Sequence, residues 1–243
     1  VVRIMGRAHE VRAASMAKTA AIKSKLYSRF GKELYIAAKA GVPDPDMNLG
    51  LKRKIAEAKA NQVPADVIKR AIEKAKGGSA ESYTSCRYEG FGPGASTLVV
   101  DCLTDNVNRT ISAVKTCFNK AHAKLGVAGC VSHGYDEVGL FSFKYEDEEA
   151  MLDALIMAEV DVQEIEVEDG IMSVTVAFQD FAKAQDAIEG LVENAEFDVC
   201  EVTMLPNEYV TLNTQEEKDM WDRLIGLLDD CEDVNKYYHN VKE

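Results

Sequence analysis

The chain has 243 residues, 47% of them hydrophobic and 28% charged, with a formal net charge of −13. That apolar content excludes a disordered chain and supports packed cores in one or two domains. No run approaches the roughly 18 apolar residues of a membrane span and no apolar h-region opens the chain, so a cytoplasmic protein without membrane partners is expected.

The net charge conceals a division along the chain. Through Lys76 there are 17 Lys and Arg against 7 Asp and Glu, and the remainder holds 11 against 34. A basic segment carried on an acidic body is a charge pattern of nucleic-acid-binding proteins. Residues 77–82, Gly-Gly-Ser-Ala-Glu-Ser, read as a linker, with Gly77 at a helix C-cap after Lys74 and Lys76.

The first elements are helices. From about residue 15 to residue 40, Ile22, Leu26, Phe30 and Leu34 recur at helical spacing, flanked by Tyr27, Ala37 and Ala38. Lys18, Lys25, Arg29, Lys32 and Lys39 then gather on the opposite face within an arc of roughly 80°, Lys23 excepted. Two prolines in Gly41-Val42-Pro43-Asp44-Pro45-Asp46 end the helix. A second helix is predicted over 48–60 with Leu51, Ile55 and Ala58 inward. A third starts near Pro64 with Ile68, Ile72 and Ala75 inward. Three such helices make a small bundle.

Beyond Tyr83 the periodicity shortens. Residues 96–103 form a strand by their β-branched content, Asp105 or Asn106 caps a helix running to about Lys124, and 127–132 read as a short strand. Residues 138–205 spell βαββαβ, the ferredoxin-like order. Its strands fall at 138–143, 160–166, 171–178 and 198–205, and its helices at 147–158 and 181–194. Glu168-Asp169-Gly170 supplies a hairpin turn. The tail reads strand 208–212, helix 216–228, strand 233–238. Alone that tail closes no core, so it is expected to complete the sheet begun at 83–132, which makes the ferredoxin-like unit an insertion. The fold class is α+β, with a basic helical domain over 1–78, a discontinuous α/β domain over 79–134 and 206–243, and an inserted domain over 135–205.

Few residues suggest chemistry. Closely spaced glycines in Arg87-Tyr88-Glu89-Gly90-Phe91-Gly92-Pro93-Gly94 resemble a phosphate cradle, but a strand follows where a phosphate loop needs a helix, so a tight turn between strands is the better reading. Thr104-Asp105-Asn106-Val107-Asn108-Arg109-Thr110 places Arg109 where it would assist anion binding at a helix N-terminus, against plain capping by Asp105 or Asn106. The four histidines are dispersed, and the six cysteines lack CxxC spacing and point to a reducing compartment. Acidic runs such as Glu146-Asp147-Glu148-Glu149 read as solvated faces. No catalytic set, metal site, cofactor site or small-molecule substrate is expected. The basic helix face is the strongest functional signal, since cations that neutralise phosphates release counterions whatever the base sequence. Its rivals are a bundle docked on the chain's own acidic body, and a protein-interaction module whose acidic body is the working surface.

Several motifs together resemble the YebC family. They are Met5-Gly6-Arg7-Ala8, Pro43-Asp44-Pro45-Asp46 with Asn48, the stretch from Ala58 to Ile72, Tyr88-Glu89-Gly90-Phe91-Gly92-Pro93-Gly94, the run from Leu103 to Thr110, and Tyr238-His239-Asn240-Val241. The opening and the tail are most similar to the family's YeeN-like branch. The resemblance spans nearly the whole chain and implies three domains, the last inserted into the middle one. It also implies a non-enzymatic regulator: a DNA-binding transcriptional regulator, or a translational activator that binds RNA or ribosomal proteins at the ribosome. Where many members carry Lys-Trp-Ala-Asn near the start, this chain has His9-Glu10-Val11-Arg12. The expected phosphate contacts are Arg7, Arg12, Lys18, Lys25, Arg29, Lys32 and Lys39, with Arg109 as an assisting cation.

Overall fold

A computed structural model describes residues 20–77 and 83–242. Three helices open it: α1 (Ala20–Lys39), α2 (Leu49–Ala60) and α3 (Ala65–Lys76). The part of the first predicted helix before Ala20 lies outside the described residues. Phe30, Leu34, Tyr35 and Ala38 of α1 are buried with Leu51 and Ala58 of α2 and Ile68, Ala71 and Ala75 of α3. Tyr35 was absent from the predicted stripe, and Ile72 is only half-buried. The Pro-rich turn between α1 and α2 is fastened by Asn48. Its Oδ1 accepts from Leu51 N at 3.0 Å, and its amide donates to the carbonyls of Ala37 and Val42 at 2.9 and 3.0 Å. One side chain thus caps the second helix and closes the end of the first. Pro64 precedes α3 and Gly77 ends it, as the sequence suggests.

Among the described residues, eight strands follow in two four-stranded sheets. The first has the order β3-β1-β2-β8, with β1 at Thr84–Phe91, β2 at Thr97–Thr104, β3 at Lys124–Leu125 and β8 at Val234–His239. Helix α4 (Val107–Lys120) lies between β2 and β3 in sequence, and α7 (Gln215–Asp229) precedes β8. Alternation along β2 puts Leu98, Val100 and Cys102 on one face, where they pack with Val114, Cys117 and Phe118 of α4 and Trp221, Leu224 and Leu228 of α7. Gly90 in β1 is required by close approach, since a Cβ there would run into the Phe118 ring and the Lys124 carbonyl. Because β8 pairs antiparallel with β2, the C-terminal segment completes the sheet begun at Thr84.

The second sheet has the order β5-β6-β4-β7, from β4 (Tyr135–Lys144), β5 (Val162–Glu168), β6 (Ile171–Ala177) and β7 (Phe197–Pro206). With α5 (Glu148–Met157) after β4 and α6 (Phe181–Leu191) after β6, this is the ferredoxin-like βαββαβ arrangement inserted into the first sheet's sequence. Its core gathers Phe141, Phe143, Met172, Val174 and Val176 with Met151, Leu155, Phe181, Ala184 and Ile188, and Phe141 stacks on Phe181 at 4.8 Å. Asp169 (φ 51°) and Gly170 (φ 76°) both take left-handed conformations between β5 and β6, the requirement of a two-residue type I′ hairpin turn.

The contacts divide the chain into two compact units. Among the described residues, one unites 20–77 with 137–203 and the other 83–136 with 204–242. Within the first, Ala60 packs against the ferredoxin-like core and Asn61 Nδ2 donates to the Cys200 carbonyl at 3.3 Å.

Three expected elements differ. Residues 127–132 do not form a strand, because their backbone donors go to a carboxylate instead of a ladder. Glu89 Oε1 accepts from Gly129 N at 2.8 Å, and Oε2 accepts from Val131 N and Ser132 N at 2.8 and 2.9 Å. Residues 208–212 are not a strand either. Val210 makes a single parallel bridge to Val241, with Val210 N on the Asn240 carbonyl at 2.7 Å and Lys242 N on the Val210 carbonyl at 2.8 Å. The glycine-rich run is mostly strand, its first five residues lying in β1, and only Gly92 to Ser96 turn the chain, with Ser96 Oγ donating to the Pro93 carbonyl at 2.7 Å.

Candidate nucleic-acid interface

A helix presents its polar residues to solvent only on the face its neighbours leave uncovered. In α1 the core takes Phe30 and Leu34, which leaves Lys23, Lys25 and Lys39 exposed. Arg29 and Lys32 are half-buried. The Arg29 side chain is 16% exposed, with Nε 3.7 Å from Glu33 Oε1 and the guanidinium 5.0 Å from the Phe30 ring. Of the predicted stripe, Lys25 and Lys39 therefore reach solvent well and Arg29 poorly. Arg7, Arg12 and Lys18 lie outside the described residues.

The other two helices add cations that the periodicity of α1 alone could not reveal. Lys52 and Arg53 on α2, Lys59 at its end, and Lys69, Arg70, Lys74 and Lys76 on α3 are exposed. Lys39 and Lys74 converge on the same ring, with ammonium groups 5.8 and 5.6 Å from the centre of Tyr35. That ring belongs to the bundle core, so one aromatic side chain holds a cation of α1 and a cation of α3 by cation–π attraction. Arg70 is partly neutralised by Asp66 at 2.6 Å, and Lys69 lies 3.9 Å from Glu73.

Lys54 behaves differently from its neighbours. Its ammonium is 2.6 Å from Glu57 Oε2 and 3.0 Å from Glu33 Oε2, with all three side chains less than a third exposed. Burial disfavours the charged amine, but the two carboxylates outweigh it and hold the pKa above the ordinary lysine value. Lys54 thus links α1 to α2 inside the bundle.

Arg109 lies in the other unit. Asn106 caps α4, its Oδ1 accepting from Arg109 N at 3.0 Å, so capping is what this segment shows. The guanidinium donates to Asp233 Oδ1 and Asp105 Oδ1, both at 2.8 Å, and to Thr104 Oγ1 at 3.3 Å. Those hydrogen bonds, Asp233 first, raise its pKa further above the ordinary arginine value. A phosphate would compete with two carboxylates already in place.

The glycine-rich segment carries the carboxylate that sequence reading passed over. Glu89 is 4% exposed, and its only marker in sequence is an acid at an inward position between Tyr88 and Gly90. Burial pushes its pKa up, but the N–H groups of Val131, Gly129 and Ser132 together hold it below the usual glutamate value. Its work is structural, anchoring the loop after β3. Among the described residues no group of His, Cys, Asp and Glu is arranged to hold a metal ion, and no helix is long and apolar enough to cross a membrane.

Comparison with known proteins supplies the family context. The N-terminal domain model of the TACO1/YebC proteins matches residues 7–78, and the model of their second and third domain matches residues 83–241. A probable transcriptional regulatory protein of Vibrio campbellii is 50% identical over 236 residues, covering 97% of this chain and 99% of that one. One of Pseudoalteromonas translucida is 49% identical, with 98% of each chain covered. Among solved structures, a conserved hypothetical protein from Aquifex aeolicus superposes with a TM-score of 0.75 at 28% identity, over 93% of this chain and 92% of that one.

Proposed function

This chain belongs to the TACO1/YebC family, and we propose that it is a non-enzymatic regulator of gene expression that binds DNA through the exposed cations of its N-terminal helices. The names of its relatives denote transcriptional regulation. The observation that carries DNA binding is the spread of Lys23, Lys25, Lys39, Lys52, Arg53 and Lys59 over solvent-exposed positions of one small bundle. The rest of the chain is strongly acidic. A polyanion is attracted to the bundle and repelled by the body, so the charge division orients the complex as well as driving it. Lys25 and Lys39 remain from the stripe read in sequence and Lys52 and Arg53 join them, while Arg7, Arg12 and Lys18 stand as contacts on their sequence alone. Arg29 and Arg109 contribute less, because each is already held by a carboxylate. We also read the chain as three domains, 1–78, 79–134 with 206–243, and 135–205.

The test is fluorescence anisotropy of a labelled DNA duplex over a salt series. Lys25→Glu combined with Lys39→Glu and Arg53→Glu should weaken binding to every duplex and reduce the salt slope by about one per lost phosphate contact. Unchanged affinity and slope would remove the reading. Competition by structured RNA decides between a DNA target and the ribosome: displacement of the duplex at much lower RNA concentration would move the same cations onto RNA and favour translational control.

A further inference from the structure

Helix α5 of the ferredoxin-like unit carries two packing faces, of which the described residues cover one. Its sequence, Glu-Glu-Ala-Met-Leu-Asp-Ala-Leu-Ile-Met, is apolar at seven of ten positions. Met151 and Leu155 are fully buried against the sheet. On the opposite side, Glu149, Leu152, Asp153, Ile156 and Met157 stand at i, i+3, i+4, i+7 and i+8, the spacing of a helix face that packs against another element. Leu152 is 40%, Ile156 59% and Met157 86% exposed. A helix apolar on both sides is expected to be covered on both sides, since leaving three large apolar side chains in water forgoes their burial.

The charges on this face say what would cover it. Glu149 and Asp153 lie within the stripe, Glu148 borders it at the helix start and Glu159 follows its end, all four exposed. Lys183, on the neighbouring α6, is held by Asp180 at 3.5 Å. An apolar stripe interleaved with carboxylates matches an amphipathic helix whose apolar stripe is bordered by Lys or Arg, which would bury the leucine, isoleucine and methionine while pairing with the acids. We infer that the outward face of α5, centred on Leu152, Ile156 and Met157 with Glu149 and Asp153, is a docking surface for a cationic amphipathic helix of a partner protein. None of these residues is among the cations proposed to meet DNA, so the inference stands whether or not those cations bind it.

The experiment uses the full chain and a fluorescent synthetic helix of leucines at i, i+3, i+4 and i+7 with lysines elsewhere, beside a scrambled peptide of identical composition. The ordered peptide should bind saturably and the scrambled one much more weakly. Ile156→Ser with Met157→Ser, and separately Glu149→Lys with Asp153→Lys, should each weaken binding by about tenfold, as for substitutions at the centre of an interface. All four positions are exposed, and circular dichroism with a thermal melt confirms that each variant is folded; should the serine pair unfold, the lysine pair carries the test. Equal binding by the two peptides would reduce the effect to polycation attraction by an acidic chain and overturn the proposal. So would unchanged affinity in the folded variants. A concentration-dependent dimer abolished by Ile156→Ser with Met157→Ser would overturn it too, by assigning the face to a second copy of the chain.

Discussion

Arg109 and Asp233 are joined across 124 positions of sequence, Nη2 donating to Oδ1 at 2.8 Å and Nε to Oδ2 at 3.1 Å. Thr110 Oγ1 donates to the same carboxylate at 2.9 Å, and the Asp233 carbonyl accepts from Leu103 N at 2.9 Å. The whole ferredoxin-like unit lies between these partners in sequence. One aspartate therefore ties the end of β2 and the start of α4 to the strand that returns after the insertion, and it closes the discontinuous sheet at its sequence break.

Removing that aspartate should be felt throughout the second unit. Asp233 is 8% exposed and Thr110 fully buried, so Asp233→Ala leaves the Thr110 hydroxyl only the Asn106 carbonyl at 3.0 Å and removes the carboxylate that holds the guanidinium and the hydroxyl together. A loss of about 2 kcal/mol in unfolding free energy is expected, the usual size for losing hydrogen bonds to a charged, largely buried carboxylate. Urea denaturation checks it. Arg109→Lys should cost less, because the Thr110 bond survives.

Glu89 makes a second prediction of this kind. A carboxylate offers acceptors to all three N–H groups of residues 129, 131 and 132, whereas Glu89→Gln turns an NH2 toward donors. The substitution should cost about 2 kcal/mol and speed hydrogen exchange in the loop between β3 and β4. Because the folded pKa is depressed, the wild-type contribution is present above the ordinary glutamate pKa and fades as pH falls through the folded value. The two proteins should therefore converge in stability in acid. A constant gap down to low pH would show that charge is not what holds the loop.

The same residue explains where sequence reading succeeds and where it stops. The inserted βαββαβ order is legible because each of its elements carries its own period and its hairpin turn has the Asp-Gly chemistry that a type I′ turn needs. The loop over 127–132 looks like a strand because Val127 and Val131 suggest one, and nothing local shows that a glutamate about forty positions earlier takes its backbone donors. The candidate interface is partly legible for a similar reason. Helical spacing shows which lysines oppose the core of α1, but not that Arg29 turns to Glu33 or that Lys39 and Lys74 meet at Tyr35, since those depend on neighbours within and between helices.

His239 predicts a pH dependence of the fold. The imidazole sits edge-on to Trp221 with ring centres 5.0 Å apart, and burial pulls its pKa down to about 4, partly opposed by a backbone hydrogen bond to Val241. The unfolded chain, with a pKa near 6.5, binds a proton that the folded state refuses between those values. Stability should accordingly fall as pH drops from about 6.5 toward 4, by an amount on the order of 3 kcal/mol for this group. His239→Gln should flatten that part of the pH profile even if it lowers stability at neutral pH. A wild-type profile with no slope in this window would contradict the neutral imidazole.

Arg53 and Lys54 are adjacent cations on α2, and charge counting treats them alike. Their surroundings do not. Arg53 is exposed, while Lys54 bridges Glu33 and Glu57 within the bundle. Lys54→Met should leave two poorly solvated carboxylates facing each other and cost about 3 kcal/mol at neutral pH. The affinity of the protein that remains folded for duplex DNA should hardly change. Arg53→Ala should do the reverse, leaving the melting temperature nearly unaltered while weakening binding and lowering the salt slope by about one. Thermal melts and salt-dependent anisotropy on the two single variants measure both effects. If Lys54→Met removed binding without loss of stability, the internal ion-pair network would be a polyanion site instead, and the division between structural and ligand-facing cations drawn from exposure would fail.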